Sequence, residues 1–121
     1  MPQVVFFREN DGSVPMLEWI VLLPEGARDR CKARIERLRT FGHLLRRPKA
    51  DFLRDGIHEL RVKHEGVNYR LLYFFFGRDA VVLTQGFVKR QARVPASELE
   101  RALRRRVVFT SDPERHMHAE A

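Results

Sequence analysis

Cysteine and long apolar runs are scarce in this chain. Among its 121 residues there is one cysteine, Cys31, which excludes an intramolecular disulfide and a cysteine-based zinc site. No apolar run approaches the roughly 20 residues that span a bilayer, so a membrane-spanning protein is excluded as well. The first residues have the pattern of a strand instead of the charged and apolar regions of a secretion signal. We therefore expect a cytoplasmic protein.

The length is that of a single domain. At 14.3 kDa, about two-thirds of the surface of the unfolded chain can be buried, which suffices for one core without cross-links. The composition, 44% hydrophobic and 32% charged, excludes a disordered chain. We predict one domain over residues 1–110. Residues 111–121 have no apolar period, and we predict a disordered tail there.

Positive charge is in excess. The 23 Lys and Arg residues outnumber the 16 Asp and Glu residues and give a net charge of +7. Such an excess in a small domain favours a polyanionic partner such as RNA, DNA or the ribosome. Much of it lies on two predicted helices, where a charged run is more often a face that only meets solvent. The position of each cation is therefore more informative than the total.

Apolar spacing predicts three helices. The first ends at Pro24, because proline interrupts helical hydrogen bonding. The second covers residues 27–41, with Gly42 as its expected C-terminal stop. Its apolar stripe consists of Ala27, Cys31, Ile35 and Leu38. The third begins at Ser97, whose spacing from Glu100 is that of a capping box.

Strands are predicted from Gly56 onward, where the apolar period changes from about 3.6 to 2. Residues 57–63, 67–76 and 80–88 are joined by short turn signals, which favours a three-stranded antiparallel meander. Residues 4–7 add a fourth strand. The sequence thus predicts an α+β fold. In it, an N-terminal strand and a helical hairpin pack on a small antiparallel sheet of about four strands, and a C-terminal helix follows.

Common hydrolase and metal-binding motifs are missing from the sequence. It contains no Gly-x-Ser-x-Gly, no glycine-rich phosphate loop and no His-Glu-x-x-His. His116 and His118 have the spacing of metal ligands, but no cysteine or carboxylate is in place to complete a site. Cys31 lies on the apolar stripe of a helix and is interpreted as a small core residue. We expect neither a cofactor nor a metal.

The predicted strands carry charged side chains near their centres and ends, namely Glu59, Arg61, Arg70, Lys89 and Arg90. Arginine is costly on a sheet face that helices cover, so this face should be open or lined by charge partners. Cross-strand salt bridges, each worth under about 1 kcal/mol, would be a purely structural explanation. Arg70 is harder to explain in that way, because its strand is otherwise almost wholly apolar.

Three strand motifs follow one another in a familiar order: GIHELR at 56–61, YRLLY at 69–73 and GFVKR at 86–90. Together with the Val-Pro and the helix that follow, they resemble the RelE/ParE toxin superfamily, most closely its HigB-like, phage-type branch. The resemblance covers nearly the whole chain. It implies a RelE-like fold and a type II toxin that enters the ribosomal A site and cuts mRNA. It also implies an antitoxin, commonly a helix-turn-helix protein similar to HigA.

The resemblance assigns site residues by position. Arg70 matches the family's strand arginine, and Lys89 and Arg90 match its basic pair on the last strand. Glu59 and Arg61 occupy two positions that carry basic catalytic residues in RelE itself. At the first of these positions this chain has glutamate where RelE has lysine. The tyrosine that RelE has after the basic pair has no aromatic counterpart in this chain.

These residue types suit RNA cleavage without a metal. Attack by the 2′-hydroxyl needs a base for that oxygen, cations for the charge on phosphorus and an acid for the 5′ oxygen. Arginine and lysine can supply the positive charge. We expect Arg70 and Arg90 to bind the scissile phosphate, with Lys89 and Arg61 as secondary contacts. Glu59 is the expected base.

Two histidines and a set of surface cations complete the predicted site. His58 or His64 is the reserve candidate for the base, although strand parity points His58 away from Glu59. Docking on ribosomal RNA through phosphate contacts is assigned to Arg34, Arg37, Lys49, Arg104 and Arg105.

Two other functions fit the same pattern. A ParE-like toxin shares the fold and poisons gyrase by binding, without cutting RNA. The concentration of cationic and acid/base residues on the sheet favours the nuclease over this alternative. A non-enzymatic module that binds nucleic acid would use the basic surface alone, and Arg70→Ala would then weaken binding without abolishing any cleavage.

Overall fold

Six strands and three helices make up the part of the chain that the computed structural model describes, residues 2–119. The strands are β1 (Gln3–Phe7), β2 (Ala50–Arg54), β3 (Ile57–His64), β4 (Val67–Phe76), β5 (Ala80–Val88) and β6 (Met117–Ala119). The helices are α1 (Pro15–Ile20), α2 (Glu25–Phe41) and α3 (Ala96–Ser111), and a 3-10 turn over Gly42–Leu44 follows α2.

One mixed sheet contains all six strands, in the order β2-β3-β4-β5-β1-β6. Strands β2 to β5 are antiparallel neighbours, β1 is parallel to β5, and β6 is antiparallel to β1. The predicted three-stranded meander is confirmed as β3, β4 and β5. The predicted total of about four strands is too small, because β2 and β6 extend the two edges. Both are short, and β6 has only three residues, so neither shows a clear alternating pattern.

The predicted helical hairpin is confirmed. Pro24 separates α1 from α2, and α2 ends where Gly42 adopts a φ of 50°. The buried residues of α2 are the predicted stripe: Ala27, Cys31, Ile35 and Leu38. The predicted capping box is wrong, because α3 begins at Ala96 and Ser97 is already inside the helix, where its hydroxyl caps nothing. Within residues 2–119, every helix is too short or too polar to cross a membrane.

Helices cover the sheet on both faces. On one face α1 and α2 pack against sheet side chains that include Leu60 and Leu71. On the other face α3 packs against Leu72 and Phe74, and Phe109 of α3 is buried among them. Side chains alternate between the two faces along each strand, so a strand buried on both sides reads as a continuous apolar run. This explains the almost wholly apolar sequence of β4.

The segment for which the sequence predicts a disordered tail contains the last residue of α3 and the strand β6. His116 is buried and stacks on Phe7 with ring centroids 5.8 Å apart, and its Nδ1 lies 2.8 Å from the carbonyl oxygen of Arg8. Beyond it, β6 pairs with β1. The contact of His116 with Arg8 joins positions 108 residues apart, which no local pattern can reveal. Residues 120 and 121 of the predicted tail lie outside the described residues.

Candidate functional site

Side chains of alternating charge run across β2, β3 and β4 on the face that α3 covers. Arg61 Nε lies 2.9 Å from Glu59 Oε2, and Arg61 Nη2 lies 3.1 Å from Asp51 Oδ2. The other oxygen of Glu59, Oε1, lies 3.0 Å from Arg70 Nε. Arg47, just before β2, has its Nη2 2.8 Å from Asp51 Oδ2. We call these five residues the charged network.

Strand register explains why the network alternates in charge. Arg61 is directly opposite Arg70 in the β3–β4 ladder, and Asp51 is opposite Glu59 in the β2–β3 ladder. Like charges repel at such positions. Residues two apart in a strand share a face, so Glu59 and Arg61 lie side by side on β3. Each also reaches diagonally to the opposite charge on a neighbouring strand. Glu59 therefore contacts Arg61 and Arg70, and Arg61 contacts Glu59 and Asp51. This face is therefore lined by charge partners, one of the two arrangements that the sequence predicted.

Burial separates the inner part of the network from solvent. The side chain of Glu59 is 3% exposed and that of Arg70 is 11% exposed. Burial lowers the pKa of Arg70, and the neighbouring Glu59 opposes that shift. The Nε–H of Arg70 is not aimed at Oε1, so this contact is an ion pair without a hydrogen bond. At the outer end, a hydrogen bond from Arg47 lowers the pKa of Asp51.

A cleft of about 500 Å³ opens beside the charged network, between β2, β3, the loop after β5 and the start of α3. Its charged lining residues are one carboxylate, Glu59, and four cations, Arg54, Arg61, Lys89 and Arg93. Lys89 Nζ donates to the carbonyl oxygen of Ala92 at 3.1 Å, which holds the lysine on the loop side. The excess of cations suits the cleft for an anionic group.

A basic groove of about 330 Å³ lies between α2 and the β3–β4 hairpin. Six cations line it: Arg30, Arg34, Lys49, Arg61, Lys63 and Arg70. Arg34 donates to the carbonyl oxygen of Arg61, and Arg30 donates to that of Lys63 at 3.2 Å. Because Arg61 lines both the groove and the cleft, the two adjoin and present one basic surface.

The structure brings together four of the five predicted catalytic residues. Glu59, Arg61 and Arg70 are in contact, and Lys89 lines the cleft with Glu59 and Arg61. Arg90 is exposed in the loop after β5 and lines neither the cleft nor the groove. The charged residues in contact with one another therefore come from β3 and β4, and the loop after β5 adds Lys89 at the side of the cleft.

The predicted docking cations fall in different environments. Arg34 and Lys49 line the groove, so they adjoin the predicted catalytic residues. Arg37 and Arg104 are exposed outside both cavities. The guanidinium of Arg37 lies over the ring of Phe41, 4.5 Å from its centroid.

Arg105 is buried, which does not fit its predicted docking role. Its Nη1 donates to Gln85 Oε1 at 3.1 Å, and its Nη2 lies 3.7 Å from the carboxylate of Glu9. Burial lowers its pKa. Helical spacing explains the burial, since Arg105 follows Ala102 by three residues and precedes Phe109 by four, and these two are buried on α3. Arg105 thus anchors α3 to the sheet.

Neither reserve histidine lines the cleft. His58 faces the α2 side, as strand parity predicted, and its ring stacks on Tyr73 with centroids 5.2 Å apart. His64 packs so closely on α2 that a Cβ at Gly26 would lie 2.5 Å from its Nε2. Within residues 2–119, Glu59 is the one carboxylate that lines the cleft. In that same part of the chain, no three His, Cys, Asp or Glu side chains are grouped so as to hold a metal.

Sequence reasoning missed four cations of the two cavities: Arg30, Arg54, Lys63 and Arg93. Arg54 belongs to a strand that was not predicted, and Arg30 is one of many cations on α2. Arg93 lies in a loop without a periodic pattern. The available signal was the density of cations after β5, where Lys89, Arg90 and Arg93 fall within five residues.

The fold and the site define a small α+β domain with a basic surface built on one end of its sheet. Residues 18–107 match a family model described as phage-derived protein Gp49-like (DUF891), so the chain belongs to this family. It is a family of RelE/ParE-type, toxin-like proteins, and membership implies an antitoxin partner. The matched residues include the whole charged network. No curated protein matches the chain.

Proposed function

We propose that this protein is the toxin of a type II toxin–antitoxin system of the HigB-like kind and that it cuts mRNA in the ribosomal A site. The observation that carries the proposal is the contact of Glu59 with both Arg61 and Arg70 at the wall of a cleft that Lys89 also lines. A gyrase poison that acts by binding would need this carboxylate only to stabilise the sheet face, whereas a nuclease also needs a proton acceptor beside the phosphate. The cationic cleft supports a phosphate ligand.

Cleavage in this cleft is a transfer of the phosphoryl group within the RNA. The 2′-oxygen loses its proton and forms a bond to phosphorus, the bond to the 5′-oxygen breaks, and that oxygen takes a proton from water. The products are a 2′,3′-cyclic phosphate and a 5′-hydroxyl. Arg61, which lines the cleft, and Arg70, which lines the adjoining groove, bind the oxygens of the scissile phosphate and stabilise the charge that develops there. Lys89 and Arg90 contact the backbone from the loop after β5.

Glu59 has two successive roles in this mechanism. Before RNA binds, its oxygens hold Arg61 and Arg70 in place. Arg61 is the more exposed of the two, at 32% against 11%, so an incoming phosphate competes for it first. The carboxylate oxygen that loses Arg61 then accepts the proton of the 2′-hydroxyl. The ribosome supplies the orientation of the message, which a shallow cleft cannot impose alone.

The groove gives the protein its contact with ribosomal RNA. Arg34 and Lys49 line it beside Arg61, so a ribosomal backbone held there would position the message over the cleft. Arg37 and Arg104 add weaker contacts outside it. The antitoxin is a helix-turn-helix, HigA-like protein with an acidic segment that covers this basic surface. Both partners act in the cytoplasm.

Primer extension on mRNA in a purified translation system tests the proposal. Wild-type protein should cut within A-site codons, and Arg61→Ala should reduce cleavage at least about 100-fold, as expected for loss of a transition-state contact. The matched control is Arg78→Ala, since Arg78 is an exposed arginine in the turn between β4 and β5, outside both cavities.

Two results would contradict the proposal. A folded wild-type protein that stops growth without cutting mRNA would indicate a gyrase poison. A protein that binds ribosomes or RNA but neither cuts mRNA nor stops growth would indicate a non-enzymatic binding module.

A further inference from the structure

A ring-lined pocket of about 310 Å³ lies on the face of the sheet opposite to the cleft, near the edge strand β2. His43 stacks on Phe75 with ring centroids 3.6 Å apart. His58 stacks on Tyr73 and lies edge-on to Phe52 and Phe75. All five rings line the cavity, which we call the aromatic pocket.

The aromatic pocket adjoins the proposed cleavage site at strand β2. Phe52 lines both the pocket and the cleft. Arg47 lines the pocket and contacts Asp51, which in turn contacts Arg61. A strand of RNA that crosses β2 therefore meets the cleft on one side and the aromatic pocket on the other.

We propose that the aromatic pocket is a nucleobase subsite, which receives one unpaired base of the RNA strand whose phosphate lies in the cleft. Proteins that read single-stranded RNA stack its bases on aromatic and histidine rings and on arginine planes. A volume of about 310 Å³ is at the small end of ligand sites, as a single nucleotide requires. The inference rests on the proposed function for the identity of the ligand as RNA.

The charged residues that line the pocket also favour a nucleotide as its ligand. Arg46 and Arg47 are exposed lining residues, so a cationic ligand is repelled and a phosphate attached to the base is attracted at the rim. Asp51, the one carboxylate of the lining among the described residues, disfavours an anionic group inside. Burial lowers the pKa of His58, so its ring is neutral at pH 7 and suits an uncharged partner. Phe52, 55% exposed, offers an open ring for stacking.

Titration with the four 5′-mononucleotides, followed by NMR of the histidine ring signals, tests the subsite on the full chain. The ring signals of His43 and His58 should shift with at least one mononucleotide, because a stacked base changes their ring-current environment. Ribose 5-phosphate, which has the phosphate but no base, should leave those signals in place. If no mononucleotide moves them at millimolar concentration, or ribose 5-phosphate moves them equally, the subsite is overturned.

A pair of variants on neighbouring residues makes the test specific. His43→Ala removes an exposed ring of the pocket and should weaken mononucleotide binding at least about fivefold, the low end of the loss for one base stack. Leu44→Ala is the control, since Leu44 is 73% exposed and does not line the pocket. Equal affinity of the two variants would overturn the proposal.

The outcome is separable from that of the proposed function. Cleavage of mRNA on the ribosome with no mononucleotide binding would overturn the subsite alone. Base-dependent binding in a protein that does not cut would support the subsite and overturn the nuclease.

Discussion

Glu59 Oε1 lies 3.0 Å from Arg70 Nε, and the other oxygen of the same carboxylate lies 2.9 Å from Arg61 Nε. One negative charge therefore separates two arginines that strand register places directly opposite each other. Without it, two cations would face each other on the sheet, and one of them is largely buried. The stability of this face and the placement of both arginines depend on Glu59.

Glu59→Ala should lower the free energy of unfolding by roughly 3 kcal/mol, because it leaves the buried charge of Arg70 without its partner. Glu59→Gln keeps the shape but removes the same charge, so its loss should be comparable. Urea unfolding curves measure both. Glu100→Ala, at an exposed position of α3, is the control and should stay within about 0.5 kcal/mol of wild type. A glutamine variant as stable as wild type would contradict this account, because it would show that the charge of Glu59 does not stabilise this face.

Gly86 of β5 lies directly beneath the indole of Trp19 in α1. A Cβ at residue 86 would be 2.2 Å from Trp19 Cε3, a contact that only movement of the ring or of α1 can relieve. Gly86→Ala should therefore destabilise the protein by roughly 1–3 kcal/mol. In a double-mutant cycle, Trp19→Leu should remove part of that loss, because it frees the space above residue 86. Additive effects of the two substitutions would show that they do not interact.

Local patterns predicted those parts of the fold whose cause is local. The stripe from Ala27 to Leu38 follows from helical spacing, and the shared face of Glu59, Arg61 and Arg70 follows from strand parity. That parity also predicted correctly that His58 points the other way. The resemblance supplied what parity could not, namely that Lys89 belongs beside these strand residues.

What the sequence could not reveal depends on contacts between distant positions. The burial of His116 requires Phe7 and Arg8, at the other end of the chain. Arg93 lines the cleft from the loop after β5, which has no periodic pattern. Arg105 differs, because its spacing from Ala102 and Phe109 was present in the sequence. Its charge suggested a surface position, and the partners that make its burial tolerable, Gln85 and Glu9, lie on other elements.

The stability of the protein should fall in mild acid through His58. Burial, with the nearby His43, lowers the pKa of His58 from its ordinary 6.5. The unfolded chain therefore takes up a proton near pH 6.5, whereas the folded chain resists it, so the free energy of unfolding decreases as pH falls below that value. His58→Phe keeps a ring on Tyr73 without a titrating group, and its unfolding free energy should depend less on pH between 7 and 5. Parallel pH profiles of the two proteins would contradict the assignment.

The single thiol should be inert in the folded protein. Cys31 is fully buried, and burial raises its pKa from 9.0 to about 11. Because the thiolate is the reactive form, iodoacetamide at pH 8 should label Cys31 slowly in the native state and rapidly in urea. Mass spectrometry of the time course measures both rates. Equally fast labelling in both conditions would show that α2 opens readily from the sheet.

Docking on ribosomal RNA should depend on where a cation lies more than on how many there are. Arg34→Gln and Arg37→Gln each remove one positive charge from α2, but only Arg34 lines the groove beside Arg61. If phosphate groups bind in the groove, Arg34→Gln should weaken ribosome binding and reduce the salt dependence of log K by about one unit of slope. Arg37→Gln should change both quantities less, since Arg37 stacks over Phe41 outside the groove. Sedimentation of the two variants with ribosomes at several salt concentrations makes the comparison, and circular dichroism verifies that both remain folded. Equal losses would mean that net charge, and not the groove, attracts the protein to the ribosome.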